Sequence, residues 1–364
     1  METSRQTIEN VIIIGGGPAG LASAIYTARA KLDPLVFTGT LPGGQLMVTT
    51  DVENFPGSPR VSGAGLMKQF RDQAIHFGAR IVDTDVKRVD FSKQPLEVYI
   101  NKSQNSKVKT SSFTKVSEDK QNYKSKSVII ATGAMPLGLD LESEKRLRGR
   151  GVSMCAVCDG FFFRDKPVAV VGGGDVALEE ALTLSRFATK VYVIHRRDAF
   201  RASKIMQERV SQNPKIKVLW NMAVEEVLGK EKVEGVRLKK IAKLLNGSTR
   251  LPDGQVANNT TIKQFNNSIL PISGLFIAIG RKPSTDIFKG QVNMDERGYI
   301  ITTIRAGLMG LDMSKYNHEH LFMTSVGGVF ATGDCVDYLY RQASTASGMG
   351  VAAALDAERW LEGI

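Results

Sequence analysis

Short apolar runs, each followed by a glycine-rich turn, set the organisation of this chain. Residues 11–14 form a continuous apolar run, which is typical of a buried strand in a parallel sheet. A glycine-rich turn follows at residues 15–20, and the alanine-rich stretch after it predicts a helix to about Lys31. Another apolar run restarts at residues 35–37, so the pattern predicts a β-α-β unit.

The same pattern returns in the middle of the chain. Residues 168–171 form an apolar run before a second glycine-rich turn at residues 172–177. Residues 178–187 are helical in character, and residues 191–194 form the next apolar run. The chain is therefore predicted to contain two dinucleotide-binding folds.

Two further strand-like runs indicate how the folds are arranged. Residues 128–133 and 329–334 both contain Ala-Thr-Gly after an apolar run, and they lie on either side of the second fold. The economical interpretation is an α/β protein with two Rossmann-like domains, the second inserted into the first. The predicted first domain is discontinuous, at residues 1–133 and 279–364, and the predicted second domain spans residues 134–278.

Three stretches are predicted to be loops or insertions without a catalytic role. Residues 101–127 are rich in Lys, Ser and Asn and hold too little apolar surface to order themselves. Residues 240–268 are a similar loose mixture in which parts form strands. Residues 305–324 separate a strand ending near Thr302 from the run that begins at Val329.

Composition and charge narrow the class of protein. No apolar run approaches the roughly 20 residues of a membrane helix, and a polar stretch at residues 1–10 leads into the first strand, so we expect a soluble, cytoplasmic protein without a signal peptide. The net charge is +11, but much of the excess lies in residues 102–126, which carry no recognised nucleic-acid motif. A solvated basic loop is the favoured interpretation, with an acidic protein partner next and no nucleic-acid partner.

The three cysteines favour redox chemistry over a disulfide scaffold or a metal. Cys155 and Cys158 form a C-x-x-C pair, whereas Cys335 stands alone and is expected to be a packed small hydrophobe. Zinc is disfavoured because the four histidines show no partner spacing and there is no second cysteine pair. Two intervening residues permit an intramolecular disulfide and a depressed thiol pKa, and Asp159 is a candidate proton donor or acceptor, or else a turn residue.

The first glycine-rich turn fits G-x-G-x-x-G between a strand and a helix. Gly15 makes the tight turn, Gly17 admits the pyrophosphate and Gly20 lets the helix and strand pack closely. The end of the second strand normally carries an acid for the adenosine ribose, but Thr38 occupies that place.

The second turn is the G-x-G-x-x-A variant, with Gly172, Gly174 and Ala177. About 20 residues further on, the next strand ends in a basic cluster rather than in an acid. Guanidinium groups bind phosphate bidentately, so this cluster predicts NADPH rather than NADH. The cluster consists of His195, Arg196, Arg197 and Arg201.

These motifs together resemble the low-molecular-weight thioredoxin reductases. The resemblance is carried by C-A-V-C-D-G at residues 155–160, by G-G-G-D-x-A-x-E-E-A at 172–181 and by H-R-R-D-x-x-R-A-S at 195–203. Supporting matches lie at residues 42–46, 53–57, 331–334 and 341–343, and the resemblance runs from about Val11 to Trp360.

The resemblance implies FAD in the outer domain and NADPH in the inserted domain. Asp175 would join the NADPH residues named above. The implied FAD residues are Gly15, Gly17, Pro18, Ala19, Gly20, Gly44, Gln45, Asn54, Ala131, Thr132, Gly133, Gly333, Asp334, Arg341, Gln342 and Ala343.

The resemblance also implies an electron path. NADPH would reduce the flavin, Cys158 would face the flavin, Cys155 would attack the disulfide of oxidised thioredoxin, and Asp159 would handle the proton. A homodimer is expected, as is rotation of the inserted domain about hinges near residues 133–136 and 279–282.

Three alternatives stay open at this point. An oxygen-dependent flavin disulfide oxidase would keep the C-x-x-C but lose the basic cluster. The flavoprotein half of a peroxide-reducing system would carry an extra N-terminal disulfide domain. A non-catalytic binding protein of the same fold would lose a cysteine or a glycine fingerprint.

Overall fold

A computed structural model describes residues 7–39, 41–49, 51–100, 108–109, 122–241 and 268–364. Its strands, in chain order, are β1 (Ile8–Ile14), β2 (Leu35–Phe37), β3 (Asp51–Val52), β4 (Val61–Ser62), β5 (Arg80–Val82), β6 (Val86–Asp90), β7 (Leu96–Ile100), β8 (Val108–Lys109), β9 (Asn122–Ile130), β10 (Ala134–Pro136), β11 (Val152–Ser153), β12 (Pro167–Val171), β13 (Lys190–His195), β14 (Ile216–Trp220), β15 (Met222–Leu228), β16 (Gly235–Lys240), β17 (Ser268–Leu270), β18 (Gly274–Ile277), β19 (Arg281–Pro283) and β20 (Val329–Ala331). Its α-helices are α1 (Pro18–Arg29), α2 (Gly63–His76), α3 (Glu142–Leu147), α4 (Ala156–Asp159), α5 (Asp175–Ser185), α6 (Lys204–Gln212), α7 (Thr303–Leu308) and α8 (Ala343–Glu362). None of the helices in this described part is long and apolar enough to cross a membrane.

The chain forms two compact units, and the second is inserted between two parts of the first. The first unit joins Met1–Met135 with Lys282–Ile364, and the second is Pro136–Arg281. At the two points where the chain passes between units, β10 and β19 pair in a two-stranded sheet.

The sheet of the first unit has the order β6-β7-β9-β1-β2-β5-β8, with β20 also paired to β9. Its centre is parallel: β1 pairs with β2 and β9, β2 with β5, and β9 with β20. Both faces are covered, so alternate residues of β1 enter different cores. Ile12 and Ile14 pack on one face, and Val11 and Ile13 pack on the other.

The C-terminal helix completes the first unit by packing against α1. Ser23 of α1 donates a hydrogen bond to the carbonyl oxygen of Gly350 at 2.8 Å. A Cβ atom on Gly350 would lie 2.2 Å from the carbonyl oxygen of Ala19, so only glycine permits this close approach. The unit therefore needs both the beginning and the end of the chain.

The second unit has a fully parallel five-stranded sheet in the order β11-β18-β12-β13-β14. An antiparallel sheet of β15, β16 and β17 follows in the same unit. The apolar runs of β12 and β13 are buried on both faces, as parallel strands require. This arrangement places the second glycine-rich turn at the carboxyl end of β12.

The strands and helices predicted around the two glycine-rich turns are confirmed, with ends shifted by a few residues. The strand predicted to end near Thr302 is not formed, and Ile300 there makes an isolated antiparallel bridge with Met294. Two loop predictions are wrong in part. Strand β9 begins at Asn122, inside the stretch predicted as loose, because pairing with β7 and burial of Tyr123, Ser125 and Ser127 override the polar composition. Helix α7 overlaps the start of the third stretch, where the buried side chain of Arg305 forms an ion pair with Asp295 at 2.5 Å. The remaining loop predictions for residues 101–107, 110–121 and 242–267 lie outside the described residues.

Candidate active site

A disulfide joins Cys155 and Cys158 directly after β11, with their Cα atoms 5.3 Å apart. Strand β11 pairs in parallel with β18, so the pair lies at the carboxyl end of this sheet, where open α/β sheets place their ligands. Cys155 is the N-cap residue of α4 and is half-buried, whereas Cys158 is exposed. The disulfide is thus accessible to exchange.

The backbone around the pair favours a thiolate on Cys155. The N–H of Cys158 donates to the Sγ atom of Cys155 at 3.2 Å. Once the disulfide is reduced, the same N–H can donate to a Cys155 thiolate and so stabilise its charge.

Asp159 and Ser153 form a hydrogen-bonded pair beside the cysteines. The hydroxyl of Ser153 donates to Oδ2 of Asp159 at 2.5 Å, and the N–H of Cys155 donates to the same Ser153 oxygen at 3.1 Å. Burial raises the pKa of Asp159, and the Ser153 hydrogen bond lowers that pKa by less. The carboxyl therefore keeps its proton to higher pH than an exposed aspartate does.

Ser153 is a site residue that the sequence analysis missed. It lies two residues before Cys155 and is buried at the end of β11. A serine in a two-residue strand carries no periodic signal, so only the fold reveals its contact with the carboxylate.

The first glycine-rich turn is shaped for a phosphate. Gly15 has φ +126°, and a Cβ atom there would lie 2.1 Å from the carbonyl oxygen of Ala131. A Cβ on Gly20 would lie 2.0 Å from the carbonyl oxygen of Gly15. Apart from its chain neighbours, no described residue places a heavy atom within 4 Å of the Cβ position of Gly17. The first and third glycines are thus required by packing, and the second faces free space at the start of α1.

The second turn repeats this arrangement. Gly172 has φ +156°, and a Cβ there would lie 2.5 Å from both the carbonyl oxygen of Ala278 and the Cβ of Ala177. Over the described ranges of the chain, the Cβ position of Gly174 again has no such neighbour within 4 Å. Both turns therefore leave room for a pyrophosphate at a helix N-terminus.

The basic cluster is exposed and available to an anion. Arg196, Arg197 and Arg201 are exposed and make no salt bridge within the part of the chain that the structure describes. The N–H of Arg201 donates to the carbonyl oxygen of Gly173 at 2.8 Å, which ties the cluster to the phosphate turn.

The structure places His195 beneath this turn rather than among the exposed arginines. Its ring is buried, and Nε2 lies 3.0 Å from the carbonyl oxygen of Ala199. A Cβ on Gly173 would lie 2.2 Å from the imidazole ring, so the backbone of the turn packs directly against His195. Burial lowers the pKa of His195, which favours a neutral ring.

The candidate FAD residues all belong to the first unit. A Cβ on Gly44 would lie 3.5 Å from the Cα of Gly17, which brings the Gly44 turn beside the phosphate turn. Asn54 donates to Gln342 at 3.2 Å, and Gln342 forms a capping box at the start of α8. These contacts bring residues from three distant parts of the chain together.

The short segments after β9 and β20 supply further candidate FAD residues. The buried Oγ1 of Thr132 has no hydrogen-bond partner among the described residues, which leaves a polar atom for a bound group. Gly333 and Asp334 lie in a 3-10 turn, and a Cβ on Gly333 would lie 2.8 Å from the Cβ of Ala19. The backbone N–H of Arg341 donates to Asp337 at 2.8 Å, just before α8.

Cys335 takes no part in this chemistry. It is fully buried, and burial raises the pKa of its thiol to about 11. The prediction that it is a packed small hydrophobe is confirmed.

Comparison with known proteins gives one consistent result over nearly the whole chain. Residues 9–350 match the family described as pyridine nucleotide-disulphide oxidoreductase. A thioredoxin reductase of Rickettsia felis is 44% identical over 352 residues, covering 96% of this chain and 97% of the relative. Another, of Mycolicibacterium smegmatis, is 44% identical over 362 residues, covering 99% of each. The solved thioredoxin reductase from Giardia duodenalis has a TM-score of 0.78 and 39% identity, covering 98% of this chain and 100% of that chain.

Proposed function

This chain belongs to the pyridine nucleotide-disulphide oxidoreductase family, and from that membership we propose that it is a thioredoxin-disulfide reductase. It carries electrons from NADPH through FAD and the Cys155–Cys158 disulfide to oxidised thioredoxin. The observation that carries this function is the accessible disulfide beside Asp159, whose pKa burial raises, in a chain with two phosphate-shaped turns.

FAD is assigned to the first unit and NADPH to the second. The free space at Gly17 supports the first assignment, as does the Thr132 hydroxyl, which has no hydrogen-bond partner among the described residues. The free space at Gly174 and the exposed arginines support the second, because their guanidinium groups match a 2′-phosphate. When bound, FAD supplies a two-electron carrier between NADPH and the disulfide.

The protein's own residues then perform thiol–disulfide exchange. The Cys155 thiolate attacks one sulfur of the thioredoxin disulfide, forms a mixed disulfide and displaces the other sulfur as a thiolate. The Cys158 thiolate next attacks the Cys155 sulfur, which restores the 155–158 disulfide and releases the second thioredoxin thiolate. Asp159 is placed to give a proton to a departing thiolate and to take one from a cysteine thiol. The hydrogen bond from Cys158 N–H to Cys155 Sγ supports Cys155 as the attacking residue.

Two finer assignments are also proposed. A homodimer rests on the family resemblance alone, and a cytoplasmic location is the expectation stated in the sequence analysis.

Anaerobic titration with NADPH, followed by flavin absorbance, tests the electron path. The wild type should take up two electron pairs, one for the flavin and one for the disulfide, whereas Cys158→Ser should take up one. Cys335→Ser is the matched control and should behave as the wild type, since Cys335 is a buried cysteine that forms no disulfide. Equal uptake by wild type and Cys158→Ser would remove the disulfide from the path. A flavin that NADPH does not bleach would favour the oxygen-dependent oxidase instead.

A further inference from the structure

The first glycine-rich turn, at residues 15–20, is not followed by the acidic residue that usually ends the next strand of this fold. In this fold an Asp or Glu at the end of the second strand hydrogen-bonds a ribose hydroxyl of the dinucleotide. Here β2 ends at Phe37 and Thr38 follows. Thr38 is buried and packs against the turn, because a Cβ on Gly16 would lie 2.5 Å from the Cβ of Thr38. The usual place is therefore filled by a hydroxyl that carries no charge.

A carboxylate reaches the same place from the neighbouring strand. Strand β5 pairs in parallel with β2, so the ends of the two strands meet at one edge of the sheet. Asp83 follows β5 directly, and the N–H of Thr38 donates to the carbonyl oxygen of Val82 at 3.1 Å. The hydroxyl of Thr38 donates to Oδ1 of Asp83 at 2.7 Å. The carboxylate thus lies within one hydrogen bond of the side chain that replaces the usual acid.

Arg71 of α2 fixes the orientation of this carboxylate. Its two terminal nitrogens donate to Oδ1 and Oδ2 of Asp83 at 2.8 and 3.0 Å. The Arg71 side chain is 15% exposed and the Asp83 side chain 32% exposed, so the pair is held in place while the carboxylate still reaches solvent. Oδ2 accepts only the Arg71 bond among the described residues, which leaves it free to accept another.

We propose that Asp83 binds a ribose hydroxyl of the FAD adenosine, in place of the acid missing at Thr38. Thr38 and Arg71 are its positioning residues. The inference rests on the proposed function only in that FAD occupies the first nucleotide turn. Asp85 is the other acid at this edge, with Oδ1 3.1 Å from a Cβ position on Gly39. Asp83 is the stronger candidate because Thr38 contacts it directly.

Flavin binding to the full-length apoprotein tests this proposal without measuring turnover. Quenching of flavin fluorescence would give the affinity for FAD and for analogues that lack the 2′ or the 3′ hydroxyl of the adenosine ribose. A hydrogen bond to a charged group corresponds to about a 10- to 100-fold difference in affinity. The wild type should prefer FAD over one analogue by that factor, and Asp83→Asn should lose the preference.

Matched variants make the result specific. Asp72→Asn removes an exposed acid next to Arg71, and it should keep the preference, as should Asp85→Asn. Thr38→Val keeps the side-chain shape but removes the hydroxyl, so it should reduce the preference by less than Asp83→Asn does. The preference is the ratio of the affinities of one variant for FAD and for an analogue. A general loss of stability would weaken both affinities and leave this ratio unchanged.

Three results would overturn the proposal: a preference retained in Asp83→Asn, a preference lost only in Asp85→Asn, or a wild type that does not distinguish FAD from either analogue. The proposed function itself fails in a different way, namely if the wild type binds no flavin at all.

Discussion

Ser153 connects the carboxyl of Asp159 with the backbone of Cys155, so one hydroxyl acts on both chemical groups of the site. Burial raises the pKa of Asp159. The hydrogen bond that Ser153 donates to Oδ2 lowers the same pKa, but by less. Proton transfer from Asp159 requires the protonated form, and this form is lost as the pH rises through the raised pKa.

Ser153→Ala is expected to raise the pKa of Asp159 further, because burial remains while the hydroxyl that stabilises the carboxylate is gone. The decrease in kcat for thioredoxin reduction at alkaline pH should then occur at a higher pH. A pH profile of kcat measures this shift. Asp159→Asn should remove this pH step and lower kcat by about 10²- to 10⁴-fold. Ser211→Ala, a change at an exposed serine on α6, should leave the profile unchanged. A shift of the Ser153→Ala profile to lower pH would contradict this role.

At the scale of elements, α5 and the segment that leads into α6 are held together by one carboxylate. Oδ1 of Asp175, the first residue of α5, accepts bonds from the N–H and hydroxyl of Ser203 at 2.9 and 2.6 Å. These bonds lower the pKa of Asp175 and keep it ionised. Together with the bond from Arg201 to Gly173, they fix the basic cluster against the phosphate turn.

Asp175→Ala should therefore raise the KM for NADPH more than that for NADH, because only NADPH carries the 2′-phosphate that we propose the arginines bind. We expect the preference for NADPH to fall by about 10-fold, with kcat at saturation little changed. Steady-state kinetics with both nucleotides measures this ratio. Glu179→Ala removes an exposed acid from the same helix and should leave the ratio unaltered. Equal loss of affinity for both nucleotides would show that Asp175 does not act through the cluster.

At the scale of the whole molecule, one unit is formed by a single continuous segment of the chain and the other by two separate segments. The second unit is one continuous segment with its own sheet and its own buried clusters. The first unit draws β9 from one part of the chain and β20 and α8 from the other.

A fragment of residues 136–281 should fold alone and bind 2′,5′-ADP, which carries the phosphate that distinguishes NADPH. Circular dichroism during thermal unfolding and calorimetric titration would test both expectations. A fragment of residues 1–135 should stay unfolded, because it lacks β20 and the helix that packs on α1. If the 136–281 fragment shows no cooperative transition while the full chain does, the independence of the second unit is refuted.

Several features of the fold and site are local enough to follow from the sequence. Apolar runs predicted the buried parallel strands, since residues covered on both faces must be apolar throughout. The spacing of glycines predicted the phosphate turns, because the positions at which a side chain would clash or would fill the space for the phosphate lie within six residues of each other in the sequence. The C-x-x-C spacing predicted a disulfide for the same reason, as two intervening residues bring the sulfurs within reach.

Other features were decided by the tertiary structure, because they depend on contacts that no local pattern encodes. The polar start of β9 became a strand through its pairing with β7, and Arg305 was buried because Asp295 lies opposite it. Asp83 reaches Thr38 only because β5 lies beside β2, although the two residues are 45 positions apart. The sequence alone thus determined which chemistry the chain carries, and folding decided which additional polar groups orient and tune it.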